Sequence, residues 1–214
     1  RPPRSTPKPS SAASDVYKRQ QDEVLVLGAA GGVGLAAVDI AKSFGARVVA
    51  AVSTKEKAEV CKGYGVDDVV IYGEEKLDKE GQKALTKELK SKSVRGGFSI
   101  IYDPIGDCFA EPALRSISWG GTYLVVGFAA GKIPLFPTNL MLLKGCAVSG
   151  VFIGRFQQEE PQQNAQNLKE IGELLGSGKL TPFISETIPM SESVDAIERI
   201  AKRGVVGKVV FIND

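Results

Sequence analysis

The chain has 214 residues, 43% of them hydrophobic, and 27 Lys and Arg against 25 Asp and Glu give a formal charge of +2. That is enough apolar material for a sizeable core, yet no apolar run approaches the roughly 18 residues of a membrane-crossing helix or resembles the apolar centre of a signal peptide. Residues 1–20 hold Arg1, Arg4, Lys8, Lys18 and Arg19 against Asp15, a net of +4 that leaves −2 for the rest, so the charge balance supports neither a nucleic-acid nor a membrane partner.

There is no histidine, which removes the commonest zinc ligand and the commonest general base. Cys61, Cys108 and Cys146 are few, odd in number and far apart, a usage that suits idle thiols in a reducing compartment and offers no metal site. A cytoplasmic setting is the expectation, with a mitochondrial one left open.

In chain order, residues 1–20 are rich in Pro, Ser and Ala without periodicity. Ser10–Gln20 resembles the conceptual translation of a sequencing adapter, so residues 1–20 are set aside from fold reasoning as an artefact. The apolar run Val24–Leu27 then reads as a strand buried on both faces. Gly28, Gly31 and Gly34 follow at once. Their spacing suits a tight turn, close approach of the backbone to a pyrophosphate, and close packing of the next helix, whose N-terminus favours an anion. A bare three-glycine pattern also fits a turn with no ligand. Its place between a strand and a helix bearing Val33, Ala37, Ile40, Ala41 and Phe44, with Gly45 as a C-terminal cap, favours the dinucleotide.

Arg47–Val52 is the second strand. Ser53-Thr54-Lys55-Glu56 reads as a capping box with Ser53 as the cap, opening a helix to about Tyr64. Asp68–Tyr72 is the third strand, and Leu85 and Leu89 mark an amphipathic helix within the charged stretch Gly73–Lys92. Phe98–Tyr102 is the fourth strand, ending at Asp103-Pro104-Ile105-Gly106. A helix over Phe109–Ser116 leads to strand five, Thr122–Val126, and a helix over Thr138–Lys144 to strand six, Ala147–Phe152. This alternation predicts a doubly wound α/β fold of six parallel strands, with ligands beyond the carboxyl ends of the strands. Beyond Gly154 the chain offers a polar helix over Glu159–Leu175, an extended Pro182–Pro189, a helix over Ser191–Arg203 and a strand, Gly207–Ile212. The expected units are a nucleotide-binding domain over 21–153 and, over 154–214, part of a second domain.

A site for NAD carries an acidic residue about 20 residues after the glycines, on the ribose 2′-hydroxyl. The end of strand two offers Val52, Ser53 and Thr54 instead, followed by Lys55 and Lys57. Small hydroxyls and lysines accept a 2′-phosphate, which favours NADPH. Solvated first-turn lysines are the simpler alternative.

With these residues in view, the chain resembles the zinc-free quinone oxidoreductases of the medium-chain dehydrogenase/reductase superfamily. The likeness rests on Gly28–Gly34 with Leu35–Lys42, Ile101–Gly106, Ser118–Gly121 with Val125–Ala129, Asn139–Lys144, and Gly207–Val210. It implies a nucleotide domain inserted in a catalytic, GroES-like domain built from both chain ends, of which 154–214 would be the carboxy-terminal remnant. It implies NADPH-dependent reduction of a quinone or another α,β-unsaturated carbonyl. By position, Ala30, Gly31, Gly32 and Val33 would meet the pyrophosphate, Ser53 and Lys57 the 2′-phosphate and Tyr72 the adenine-ribose side, with Phe128 and Ala129 beside the nicotinamide. No catalytic residue and no metal ligand is assigned, because hydride passes directly between nicotinamide and substrate. Glu74–Lys92 is longer than the usual family segment. With the amino-terminal catalytic half absent from this sequence, the chain alone is expected to be inactive or nearly so. A nucleotide-binding protein without turnover and an enoyl-thioester reductase stay open as alternatives. The apolar, unguarded strand six suggests a homodimer.

Overall fold

The computed structural model describes residues 22–201 and 205–213; the expectation of an artefactual tail over 1–20 lies outside them. Six strands, β1 (Glu23–Leu27), β2 (Arg47–Val52), β3 (Asp68–Ile71), β4 (Phe98–Asp103), β5 (Ile117–Val125) and β6 (Ala147–Gly150), form one sheet in the order β3-β2-β1-β4-β5-β6. Every pairing in it is parallel. The crossovers are α1 (Gly32–Ser43), α2 (Lys55–Gly63), α3 (Lys79–Lys92), α4 (Ala110–Arg115) and α5 (Thr138–Lys144).

All five residues of β1 are buried, because helices cover both faces and leave no polar side to alternate with. Val24 and Val26 face a layer with Leu35, Val38, Ala41, Ala58 and Cys61. Leu25 and Leu27 face the opposite layer, with Leu85, Leu89, Ile101 and Leu114. Full burial of each such side chain contributes about 1.5–3 kcal/mol. The same burial pushes the Cys61 thiol up to about 12, which makes it an apolar filler and not a nucleophile.

Several local expectations are corrected. Thr54, not Ser53, caps α2: its Oγ1 accepts from the Lys57 N–H at 3.3 Å. Strand five starts at Ile117, five residues early, because Ser118–Gly121 forms a bulge between the pairs Phe98↔Ile117 and Ile100↔Thr122. Gly120, at φ +73°, supplies the left-handed step. Strand six stops at Gly150, and Phe152 precedes a short helix, α6 (Ile153–Glu159). The polar helix then begins at Pro161 as α7 (Pro161–Gly176), since proline's missing N–H is no loss in a first turn.

Beyond α7, β7 (Ile184–Pro189) and β8 (Lys208–Ile212) pair in parallel as a separate two-stranded sheet. Between them a 3₁₀ turn at Met190–Glu192 precedes α8 (Ser193–Ala201), so the helix predicted from Ser191 opens two residues later. This smaller sheet docks on the larger unit. Thr181 N–H donates to Asp39 Oδ2 at 2.7 Å, and Phe183 meets Tyr64 edge-on at 6.3 Å.

Candidate nucleotide site

The carboxyl ends of β1 to β5 converge on one groove, and each contributes a differently built loop. At the end of β1, Gly28 turns the chain at φ +58°, and a Cβ there would lie 2.6 Å from Ile105 Cγ2. Gly31 N–H donates to Gly28 O at 3.0 Å and closes the turn. Gly31 is also the N-cap of α1, so the first-turn amides of Gly32, Val33 and Gly34 have no carbonyl behind them in the helix. Gly34 lets the helix lie on the strand: a Cβ would come within 2.7 Å of Ala29 Cα. These three glycines thus have the three tasks that their spacing suggests.

The end of β2 holds the two expected cation-and-hydroxyl partners together. Lys57 Nζ donates to Ser53 Oγ at 3.0 Å. Because Thr54 takes the cap, Ser53 is left to face the groove beside Lys57, while the Thr54 hydroxyl is committed to the helix. Glu56 is not on the groove wall, and its own backbone N–H, then the Thr54 hydroxyl, hold its carboxyl below the usual range.

At the end of β3, Tyr72 N–H donates to Val52 O at 2.9 Å, and the Tyr72 ring lies 4.5 Å from that of Phe109, tilted by 45°. At the end of β4, the buried Asp103 organises its loop. One carboxylate oxygen accepts from Ile105 N–H at 2.9 Å and Gly106 N–H at 2.8 Å, the other from Tyr123 Oη at 2.6 Å. Burial outweighs these donors and pushes the Asp103 carboxyl above its ordinary value, and it pushes the Tyr123 hydroxyl well above its own. The loop after β5 is sewn to this turn: Val126 N–H donates to Asp103 O at 2.9 Å, Ala129 N–H to Pro104 O at 3.1 Å, and Ala130 N–H to Ile105 O at 2.8 Å.

A groove of about 380 Å³ results. It brings together Ala30, Gly31, Ser53, Lys57, Tyr72 and Ala129 of the expected residues. Gly32, Val33, Thr54 and Phe128 are not on its wall: Gly32 and Val33 lie on the exposed first turn of α1, and Phe128 stands beside Gly106. A hollow of about 580 Å³ is larger, but it lies between α2 and the edge strand β3 and takes in no residue of the glycine turn. The groove also receives residues that sequence reasoning passed over: Glu74, Glu75 and Lys76 from the loop after β3, Asp107 and Phe109 after β4, and Val205 from the far end of the chain. Tyr72-Gly73-Glu74 directly follows one strand end and Asp107 the turn Asp103–Gly106 at another, which was the signal available. Val205 reaches the groove through tertiary folding alone.

The far end of the chain closes the glycine turn from outside. Gly207 bridges Gly31, its N–H donates to Ala30 O at 2.9 Å, and Lys208 Nζ donates to Gly32 O at 3.0 Å. Among the described residues no group of three or more Cys, Asp or Glu is placed to hold a metal ion.

Comparison with known proteins agrees with this architecture. The chain is 34% identical over 190 residues to a quinone oxidoreductase-like protein 2 homologue of Nematostella vectensis, covering 88% of this chain and 50% of that protein. It is 34% identical over 193 residues to quinone oxidoreductase-like protein 2 of Bos taurus, covering 89% and 52%. It therefore spans about half the length of these relatives. The quinone oxidoreductase of Thermus thermophilus, a structure also determined with NADPH, superposes with a TM-score of 0.77 at 26% identity, over 92% of this chain and 60% of that one. Residues 32–170 match the family described as zinc-binding dehydrogenase, and with the six-stranded parallel sheet and its glycine turn they make this chain a member of that family, within the medium-chain dehydrogenase/reductase superfamily.

Proposed function

We propose that this chain is the NADPH-binding part of an oxidoreductase that reduces a quinone or a related α,β-unsaturated carbonyl. The observation that carries the reading is the Lys57–Ser53 pair at the end of β2, 3.0 Å apart and on the same groove as Gly28 and Gly31. An ammonium and a hydroxyl at that position suit a 2′-phosphate, where a carboxylate would suit a bare ribose. The relatives' names and the NADPH in the Thermus structure support the same reading.

When bound, the coenzyme supplies the hydride. The chain's own residues bind and orient: the first-turn amides of α1 at Gly32 and Val33, with Ala30 and Gly31, receive the pyrophosphate. Ser53 and Lys57 border the 2′-phosphate, with Thr54 capping the helix that carries Lys57, and Tyr72 borders the adenine-ribose side. Phe128 and Ala129 lie on the loop that the Asp103 turn holds in place, and there they flank the nicotinamide. Catalysis on this reading is orientation in a closed cleft, with no metal held by this chain. The three unpaired cysteines support a reducing, cytoplasmic setting.

Titration with NADPH and NADH tests the site. The wild type is expected to prefer NADPH by about tenfold or more, the value of one charge-assisted contact, and Lys57→Ala to lose that preference. Equal affinities in the wild type, or an unchanged preference in the variant, would remove the 2′-phosphate assignment. Consumption of NADPH on addition of a quinone, measured on the chain joined to an amino-terminal catalytic half, reads the reaction; binding without consumption there would leave a nucleotide-binding protein. The chain alone is expected to bind with little or no turnover, and robust turnover by it would refute that expectation.

We also propose a homodimer across β6. This strand ends the sheet, its Ala147 is exposed, and Leu142 and Leu143 beside it are largely exposed as well. Light scattering is expected to give twice the chain mass for the wild type and the single mass for Ala147→Lys, since a charge on an open edge blocks pairing. A monomeric wild type would end this proposal.

A further inference from the structure

Asp107 is a groove residue for which the reading above has no task. Among the described residues it is the only one other than glycine with a positive φ, 54°, a conformation that side chains rarely adopt unless the surroundings impose it. Its side chain is only 9% exposed, and Lys76 Nζ reaches to 3.2 Å from Oδ2 across the loop after β3. Oδ2 itself is closed to solvent and, apart from this ion pair, makes no hydrogen bond. An uncommon backbone conformation that brings a nearly buried carboxylate, pinned at one oxygen by a lysine, to a groove wall is a feature of binding sites more than of scaffolds.

The position within the groove narrows the partner. If Ser53 and Lys57 hold the 2′-phosphate and α1 faces the pyrophosphate, the base lies beyond the ribose, toward Tyr72, Ile105 and Phe109. The tilted pair of rings at 4.5 Å gives a flat apolar wall there, suited to a purine. Asp107 and Phe109 belong to one 3₁₀ turn, Asp107–Phe109, so the carboxylate borders that wall. At position 6 adenine presents an amine, whereas hypoxanthine and guanine present a carbonyl oxygen. A carboxylate accepts hydrogen bonds and cannot donate, so it rewards the amine and repels the carbonyl.

We propose that Asp107 selects adenine in the dinucleotide by accepting a hydrogen bond from its exocyclic amine at the carboxylate oxygen turned away from Lys76, with Lys76 holding Oδ2 in place. The proposal rests on the NADPH reading above. It names a specificity residue on the turn after β4 and a positioning residue, Lys76, on the loop after β3.

Isothermal titration of the chain with NADPH and with its hypoxanthine analogue separates the two ideas. The wild type is expected to bind NADPH about tenfold more tightly than the analogue. Asp107→Gly keeps the positive φ without strain while deleting the carboxylate, and should bind both equally. Asp107→Asn, which tolerates the left-handed backbone and can turn either its oxygen or its amide toward the base, should also discriminate by less than about twofold. Equal binding of the two dinucleotides by the wild type would overturn this proposal alone. A preference that survives in both variants would do the same. Binding of neither by the wild type would overturn the NADPH reading, and this proposal with it.

Discussion

Asp103→Ala is expected to cost about 3–5 kcal/mol of folding stability in urea denaturation at neutral pH, and to abolish NADPH binding by whatever remains folded. The magnitude follows from three donors, Ile105 N–H, Gly106 N–H and Tyr123 O–H, each left buried without its acceptor. The loss of binding follows because the same turn carries Ile105 against Gly28 and, through Pro104 O and Ile105 O, holds the loop bearing Ala129. Asp103→Asn should be far milder, about 1 kcal/mol, since its oxygen can still accept from both amides while the Tyr123 hydroxyl turns to receive from the new NH₂. The pH dependence has a definite sign. Burial raises the Asp103 carboxyl above its ordinary value in the folded state, so the folded chain binds this proton more tightly than the unfolded one. Stability from this group is therefore greatest at low pH and declines as pH rises through the folded value. The advantage of the wild type over Asp103→Asn should shrink over that range. A loss below about 1 kcal/mol for the alanine variant would show that the turn holds without its carboxylate.

Gly34→Ala is expected to destabilise by about 1–3 kcal/mol and to weaken NADPH binding, although alanine is the better helix former by about 1 kcal/mol. The new Cβ would meet the backbone of Ala29 at 2.7 Å and crowd Gly28 O. Neither atom can rotate away, so α1 must lift from β1 and carry its first-turn amides with it. Gly63→Ala in α2 is the matched control, because a Cβ there meets nothing within 4 Å. It should be neutral or stabilising, by up to about 1 kcal/mol. A neutral Gly34→Ala would show that α1 does not need its close approach.

What could be read from the sequence divides along the range of the forces involved. β1 to β4 and their crossovers were legible because Val24–Leu27, Arg47–Val52 and Phe98–Tyr102 are short apolar runs bounded by turn residues, and the glycine spacing encodes its own backbone path. Ser53 and Thr54 were less so. Either hydroxyl can cap a helix, and a shift of one position decides which of them is left for a ligand. Ser118-Trp119-Gly120-Gly121 reads as a turn by composition, yet its bulge is set by the register against β4. Asp107 stands one residue past the legible strand-end turn Asp103–Gly106, but its left-handed backbone and its meeting with Lys76 had no local signal, since they arise only when the loops after β3 and β4 are brought side by side. Val205 and Gly207 belong to the same class, separated from the glycine turn by most of the chain.

That last separation bears on the order in which the molecule forms. The Lys208–Gly32 bond joins residues 176 positions apart, and pairings of such reach close late, after the chain between them has been ordered. β1 and its turn leave the ribosome before the strands and helices that follow them, but the Ala30 carbonyl gains its Gly207 partner only when β8 has been synthesised and docked. The nucleotide turn is thus begun before the strands that follow it and completed only after them, and a nascent chain that stops short of Gly207 carries it with one flank bare.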